Sequence, residues 1–291
     1  MATLTFYGAA QEVTGSCHLL ESKACGRVLL DCGLRQGGDA VERIHNERFS
    51  FKPDSIDAVV LSHAHLDHCG MLPLLVHQGF QGPIHCTRAT ADLLPIMLHD
   101  AVGLYLRDLE RDNLRAERRG RKTREPVYDE EDVERVLKQL QPSRYHKPFK
   151  LGHHCTVTLH DAGHILGSAI VEVVLTENAM EKRLVFSGDL GRRGSVLMND
   201  PATLDKADVV LMESTYGDRD HRYEDDSMDE LAEILHETWN KGGSVMIPSF
   251  AVGRTQEIIF HLGRLHHAGQ LDNWEVFLDS PMAIKVTQVY D

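Results

Sequence analysis

Four residues within six positions carry the densest chemistry in this chain: His63, His65, Asp67 and His68, in Ser62-His63-Ala64-His65-Leu66-Asp67-His68. Neutral imidazole and carboxylate are good ligands for Zn²⁺, and Mn²⁺ or Fe²⁺ also suits such nitrogen and oxygen donors. The spacing has a physical reason. Residues two apart on an extended backbone point the same way, so His63 and His65 can share one ion while Asp67 and His68 turn toward a second. The chain holds 18 histidines, yet the pattern His-x-His-x-Asp-His would arise by chance at a frequency on the order of 10⁻⁵ per position.

These residues do not complete a two-ion site, and two further candidates stand at strand ends downstream. His164 lies in Ala162-Gly163-His164-Ile165-Leu166-Gly167-Ser168, where the flanking glycines allow a tight loop. Asp189 ends the apolar run Leu184-Val185-Phe186-Ser187-Gly188-Asp189, where a carboxylate could bridge two cations. Taken singly, His164 reads as a packed or surface histidine and Asp189 as a turn former; it is their company with the hexapeptide that makes them ligand candidates. The other fourteen histidines, including His153-His154 and His266-His267, are assigned to surface or core.

The elements that must position these side chains begin with short β-type runs over 4–7, 17–20 and 27–31, separated by Gly8, Gly15 and Gly26. A strand over 57–61 runs into the histidine cluster, followed by helices over 70–77 and 90–99. From 102 to 140 the pattern is helical and charged, broken at Gly120 and Pro126. Strands return over 156–159, 169–175 and 184–186. Beyond Asp208 the rhythm is strand 209–212, helix 228–240, strand 244–247, helix 255–267 and strand 275–278, which predicts βαβ units and a parallel sheet.

Composition bounds the partners. The net charge of −13 argues against a surface coated for polyanions, although 107–124 holds eight Lys/Arg against Asp108, Glu110, Asp112 and Glu117, a local +4 that leaves −17 elsewhere. The plain reading of that stretch is a solvated helical face with mixed charges. Six cysteines without a Cys-x-x-Cys pair suggest buried thiols, not a disulfide framework or zinc ribbon. The start Met1-Ala2-Thr3-Leu4 lacks a signal-peptide pattern and no apolar run is long enough to span a bilayer, so a cytoplasmic protein without a membrane partner is expected.

Asp31 in Leu30-Asp31-Cys32-Gly33, the His63 to His68 motif, His164 and Asp189 resemble, in order and context, the first four motifs of the metallo-β-lactamase superfamily. The resemblance implies an α/β fold with an αββα sandwich. It implies two zincs, one held by His63, His65 and His164, the other by Asp67 and His68, with Asp189 between them and Asp31 orienting a ligand without touching metal. Glu213-Ser214-Thr215-Tyr216-Gly217, the segment Pro248-Ser249-Phe250-Ala251-Val252-Gly253-Arg254-Thr255-Gln256-Glu257 and Leu278-Asp279-Ser280-Pro281-Met282-Ala283 resemble the β-CASP nucleases, especially the branch of the mRNA 3′-end cleavage endonuclease and its prokaryotic relatives. That branch implies a metallo-β-lactamase domain over 1–215 and the start of an inserted, Rossmann-like β-CASP domain over 216–291. Arg254 and Ser249 would contact substrate at a strand-to-helix turn.

The activity so implied is endoribonuclease cleavage of single-stranded RNA by a metal-bridged hydroxide, with Asp67 orienting the nucleophile, Glu213 acting through a histidine partner, and 5′-phosphate and 3′-hydroxyl products. Relatives of this kind are often dimers, which admits a homodimer. Complete members continue with two further histidine motifs that do not follow here, so the resemblance implies a C-terminally truncated chain and a weakened second metal site. The competing readings are a non-catalytic β-CASP scaffold subunit and a small-molecule metallohydrolase of thioesterase or lactamase type; the Glu213 segment and the βαβ rhythm weigh against the latter.

Overall fold

The computed structural model describes residues 2–177, 179–219, 224–271 and 274–291. The backbone divides into two compact units, Met1–Glu213 and Ser214–Asp291.

In the first unit, β1 (Thr3–Phe6), β2 (His18–Ser22), β3 (Gly26–Leu30), β4 (Ala58–Val60), β5 (Ile84–Thr87) and β6 (Leu140–Ser143) form a six-stranded sheet in chain order. The first three strands are antiparallel neighbours and the last four run parallel. A second sheet contains β7 (Phe149–Lys150), β8 (Cys155–Asp161), β9 (Ala169–Glu177), β10 (Met180–Phe186) and β11 (Val209–Leu211), ordered β11-β10-β9-β8-β7. Only the β10–β11 pair is parallel there.

Alternation along the strands builds the core. Leu20, Val28, Leu30, Ala58 and Val60 of the first sheet pack against Val157, Leu159, Val171, Val173, Leu184 and Phe186 of the second. The opposite face of the first sheet, with Leu19, Leu29 and Val59, is also buried. The helices are α1 (Ala40–Asn46), α2 (Leu66–Cys69), α3 (Leu72–His77), α4 (Arg88–Arg118) and α5 (Glu130–Lys138). α4 packs on α1, α5, β5 and β6, and α3 on α5. Two sheets thus lie face to face, as the αββα resemblance implies, with helices packed outside the first sheet and Leu190 and Leu204 against Ile170 and Val185 of the second.

Several elements differ from the sequence reading. The expected break after 99 is absent: Leu94, Leu98, Val102, Tyr105 and Leu109 continue one buried stripe at helical spacing, so α4 runs unbroken for 31 residues despite Pro95. β5 and β6 were not expected; each is four residues long, and Pro142 is tolerated because β6 is an edge strand.

The second unit holds α6 (Glu224–Asn240), α7 (Arg254–His267) and α8 (Pro281–Tyr290), and Leu235 of α6 packs with Leu262 and Leu265 of α7 and with Leu271. The strands expected over 244–247 and 275–278 are not formed, and the strand at 209–211 belongs to the first unit's sheet, hydrogen-bonded to β10. A strand persists where a neighbour satisfies its backbone groups. Among the described residues of the second unit no such ladder forms, so the parallel sheet expected there is not seen.

Candidate metal centre

The candidate residues converge because of strand direction. Asp31 follows β3, His63 follows β4, His164 follows β8, Asp189 follows β10 and Glu213 follows β11. β3 and β4 are parallel, as are β10 and β11, while β8 and β10 run the same way because each is antiparallel to β9. Carboxyl ends of five strands therefore meet at one end of the sandwich.

Loop contacts sharpen this convergence. Asp67 O accepts from Ser16 N at 2.8 Å, Ser16 O from Gly33 N at 2.8 Å, and His68 O from Cys32 N at 2.8 Å. A side chain at position 33 would bring Cβ to 1.7 Å from Asp67 O, so only glycine permits that approach. Gly191 lies as closely on the His164 loop, where its Cβ would stand 1.7 Å from Gly163 O. The same loop is tied to the start of α4: Thr87 and Thr90 hydroxyls both donate to Gly167 O, at 2.6 and 2.9 Å.

The donor atoms are close. His65 Nδ1 lies 3.0 Å from His63 Nε2 and 3.2 Å from His164 Nε2. Asp189 Oδ2 is 3.7 Å from His63 Nε2 and 3.5 Å from His164 Nε2. One donor atom from each of these four residues falls within 4.8 Å of all the others. Four donors around one ion at Zn–N distances of about 2.0–2.1 Å lie roughly 3.3 Å apart, so the cluster fits a divalent cation in separation and in chemistry.

The other carboxylate oxygen faces elsewhere. Asp189 Oδ1 lies 3.2 Å from His68 Nε2, which is 3.8 Å from Asp67 Oδ2. Asp189 thus presents one oxygen to His63 and His164 and the other to His68. His68 faces that second oxygen and Asp67 faces His68, but among the described residues the group of three or more closely spaced donors is the first one.

Asp31 stands behind His68. Its Oδ2 accepts from the Ser16 hydroxyl at 3.0 Å and the Ser62 hydroxyl at 2.9 Å, and lies 2.7 Å from His68 Nδ1; Ser62 N donates to Oδ1 at 2.7 Å. The side chain is fully buried, and its φ of +61° is strained for a residue other than glycine. Ser16 and Ser62 escaped the sequence reading, since an isolated serine has no signal; only the partner it holds gives it one.

Electrostatics separates the imidazoles. Burial, with the neighbouring imidazoles, holds His63 well below the usual histidine range and brings His65 down to about 3; burial also lowers His164. In each of the three the shift favours the neutral ring, the form that offers a lone pair. For His68 burial acts downward, but Asp31 and Asp189 outweigh it and hold the ring well above its ordinary value. Burial pushes the Asp67 carboxyl up, whereas the histidines facing Asp189 overcome burial and keep its carboxyl below the usual range.

Glu213 accepts from Leu190 N at 2.9 Å, and its own N–H is held by the Ser187 hydroxyl at 3.2 Å. It thereby braces the peptide after Asp189, near enough to His164 to favour that ring's protonated form. Arg254 and Ser249 lie in the second unit. Arg254 opens α7 and pairs with Glu257 at 2.6 Å, and Ser249 Oγ is 2.8 Å from Thr255 Oγ1.

The chain is similar to several known proteins. A ribonuclease of Thermus thermophilus, TTHA0252, is 43% identical over 284 residues, 98% of this chain and 59% of the relative. The transcription termination factor FttA of Methanocaldococcus jannaschii is 33% identical over 280 residues, 95% of this chain and 41% of the relative. An RNase J-like protein of the same organism is 30% identical over 293 residues, 100% of this chain and 61% of that one. The chain therefore spans between 41% and 61% of the length of these relatives. The sequence profile of the metallo-beta-lactamase superfamily matches residues 11–248, which takes in every residue of the cluster, and the chain belongs to that superfamily.

Proposed function

We propose that this chain carries the metal centre of a β-CASP ribonuclease, hydrolysing phosphodiester bonds of single-stranded RNA. The observation that supports it most is the Asp189 carboxylate, whose oxygens face different histidines, an arrangement suited to two cations side by side. The relative named a ribonuclease, similar over 98% of this chain, supports RNA as substrate. Zinc is the metal proposed, from the three neutral imidazoles and one carboxylate.

His63, His65, His164 and Asp189 would hold one ion; Asp67, His68 and Asp189 would hold the other. Two divalent cations bound there supply Lewis acidity, making water acidic near neutral pH and offsetting charge on phosphoryl oxygens. The chain's own residues do the positioning. Asp67 orients the attacking water through its carboxylate, Asp31 keeps His68 Nε2 turned toward Asp189, and Glu213 fixes the Asp189 backbone through Leu190 N. Arg254 and Ser249 are proposed phosphate contacts of the second unit, at the first turn of α7 and the segment before it.

The test is cleavage of an end-labelled single-stranded RNA by the purified chain with zinc, with excess chelator, and as His65→Ala. Cleavage giving 5′-phosphate ends, lost with chelator and reduced at least about 100-fold in the variant, supports the proposal. Cleavage that survives both treatments contradicts it.

A further inference from the structure

Nothing in the metal chemistry uses the far end of α4. Leu109 is its last buried residue, and none of residues 110–118 is buried. The chain turns at Gly120 and comes back exposed over 119–126, so helix and returning segment form an arm that stands clear of the core.

That arm is fastened. Asn113 grips Arg124 twice, Nδ2 donating to Arg124 O and Oδ1 accepting from Arg124 N, both at 2.8 Å. Val127 N donates to the Tyr105 hydroxyl at 3.0 Å, Tyr105 stacks on Tyr128 with ring centroids 5.2 Å apart, and Arg124 pairs with Glu42 at 2.7 Å.

The cations sort themselves along the arm. Near its base Arg111 pairs with Asp108 at 2.8 Å and Arg115 with Asp112 at 3.1 Å. At the tip, Arg118, Arg119, Arg121 and Lys122 are exposed, and none of the four has an ion pair or side-chain hydrogen bond among the described residues. Glu117 and Glu125 lie in the same stretch without joining them. Four unpaired cations within five positions, on a protein of net charge −13, concentrate positive potential where the rest of the surface repels a polyanion.

We propose that the tip of this arm binds the phosphate backbone of the RNA strand, at a distance from the metal centre. The inference rests on the ribonuclease reading for the identity of the strand. The first turn of α4 touches the His164 loop through Thr87 and Thr90, and at 1.5 Å per residue the helix is about 45 Å long, so the tip engages a part of the RNA well away from the bond being cut. At the stacked rise of 3.4 Å per nucleotide that span is roughly 13 nucleotides. Long substrates reach the arm; short ones do not.

The test uses the full chain with Arg118→Gln, Arg119→Gln, Arg121→Gln and Lys122→Gln combined, and a second variant in which the three arginines become lysine. Binding of a 30-nucleotide RNA is measured in chelator, so cleavage plays no part, as a function of salt. Each lost phosphate contact should flatten the slope of log affinity against log salt by about 0.7 for a single strand, up to about 3 for all four. The lysine variant should keep the wild-type slope, and hydrolysis of a four-nucleotide RNA should be unchanged in both. An unchanged slope in the glutamine variant, in protein whose circular dichroism matches wild type, overturns the proposal; so does a wild type that does not bind the long RNA. Either failure leaves the ribonuclease reading standing if the short RNA is still cleaved.

Discussion

Asp31 shows how a residue remote from the reacting bond governs the centre. Its carboxylate takes four hydrogen-bonding partners, and one of them, His68 Nδ1, fixes which nitrogen His68 turns toward Asp189. Asp31→Asn keeps the shape but replaces an acceptor oxygen by a donor and removes the charge. Metal affinity, read by competition with a chromophoric chelator, should fall about 10- to 100-fold, in the range seen when partners behind metal-binding histidines are changed. An affinity within twofold of wild type would show that Asp31 serves folding alone. At this scale the sequence was most informative: His63 and His65 stood out by type and spacing, His164 and Asp189 only through their company with that motif, and the structure brings the four together. The bridging place expected of Asp189 matches its oxygens, Oδ2 toward His63 and His164 and Oδ1 toward His68; what spacing could not reveal is the serines that hold Asp31, because those contacts depend on the folded loops.

At the scale of elements, the loops at the strand ends depend on backbone approach more than on side chains. Gly33→Ala forces Cβ against Asp67 O, and Gly191→Ala against Gly163 O. Each is expected to cost about 1–3 kcal/mol in chemical denaturation, the range of strained or overpacked positions. Gly263→Ala is the contrast: it lies inside α7 with nothing within 4 Å of the added Cβ, and should stabilise by about 0.5–1 kcal/mol from helix propensity. Long, strongly patterned pieces such as β9 and α7 were legible from alternation and helical spacing. β5 and β6 were not, since four residues containing His85 or Pro142 carry little strand signal. The segments 244–247 and 275–278 failed the other way: their composition favours strands, yet pairing is a property of neighbours, and the described residues of the second unit provide none.

For the whole molecule the division at Glu213 places the metal cluster in one unit and both tryptophans, Trp239 and Trp274, in the other. Circular dichroism reports both units, whereas tryptophan fluorescence reports only the second. A bound metal stabilises the fold that binds it, so chelation should lower the melting temperature seen by circular dichroism and leave the fluorescence transition in place; equal shifts in both would mean that the units unfold together. Among the described residues no helix is long and apolar enough to cross a membrane. Whether His63, His65, His164 and Asp189 form a metal centre is decided by elemental analysis of the purified chain beside His65→Ala and Asp189→Asn. The wild-type chain should hold between one and two zinc ions and either variant at most a residual fraction, with unchanged circular dichroism. Zinc content equal in all three proteins would contradict a metal centre at these residues.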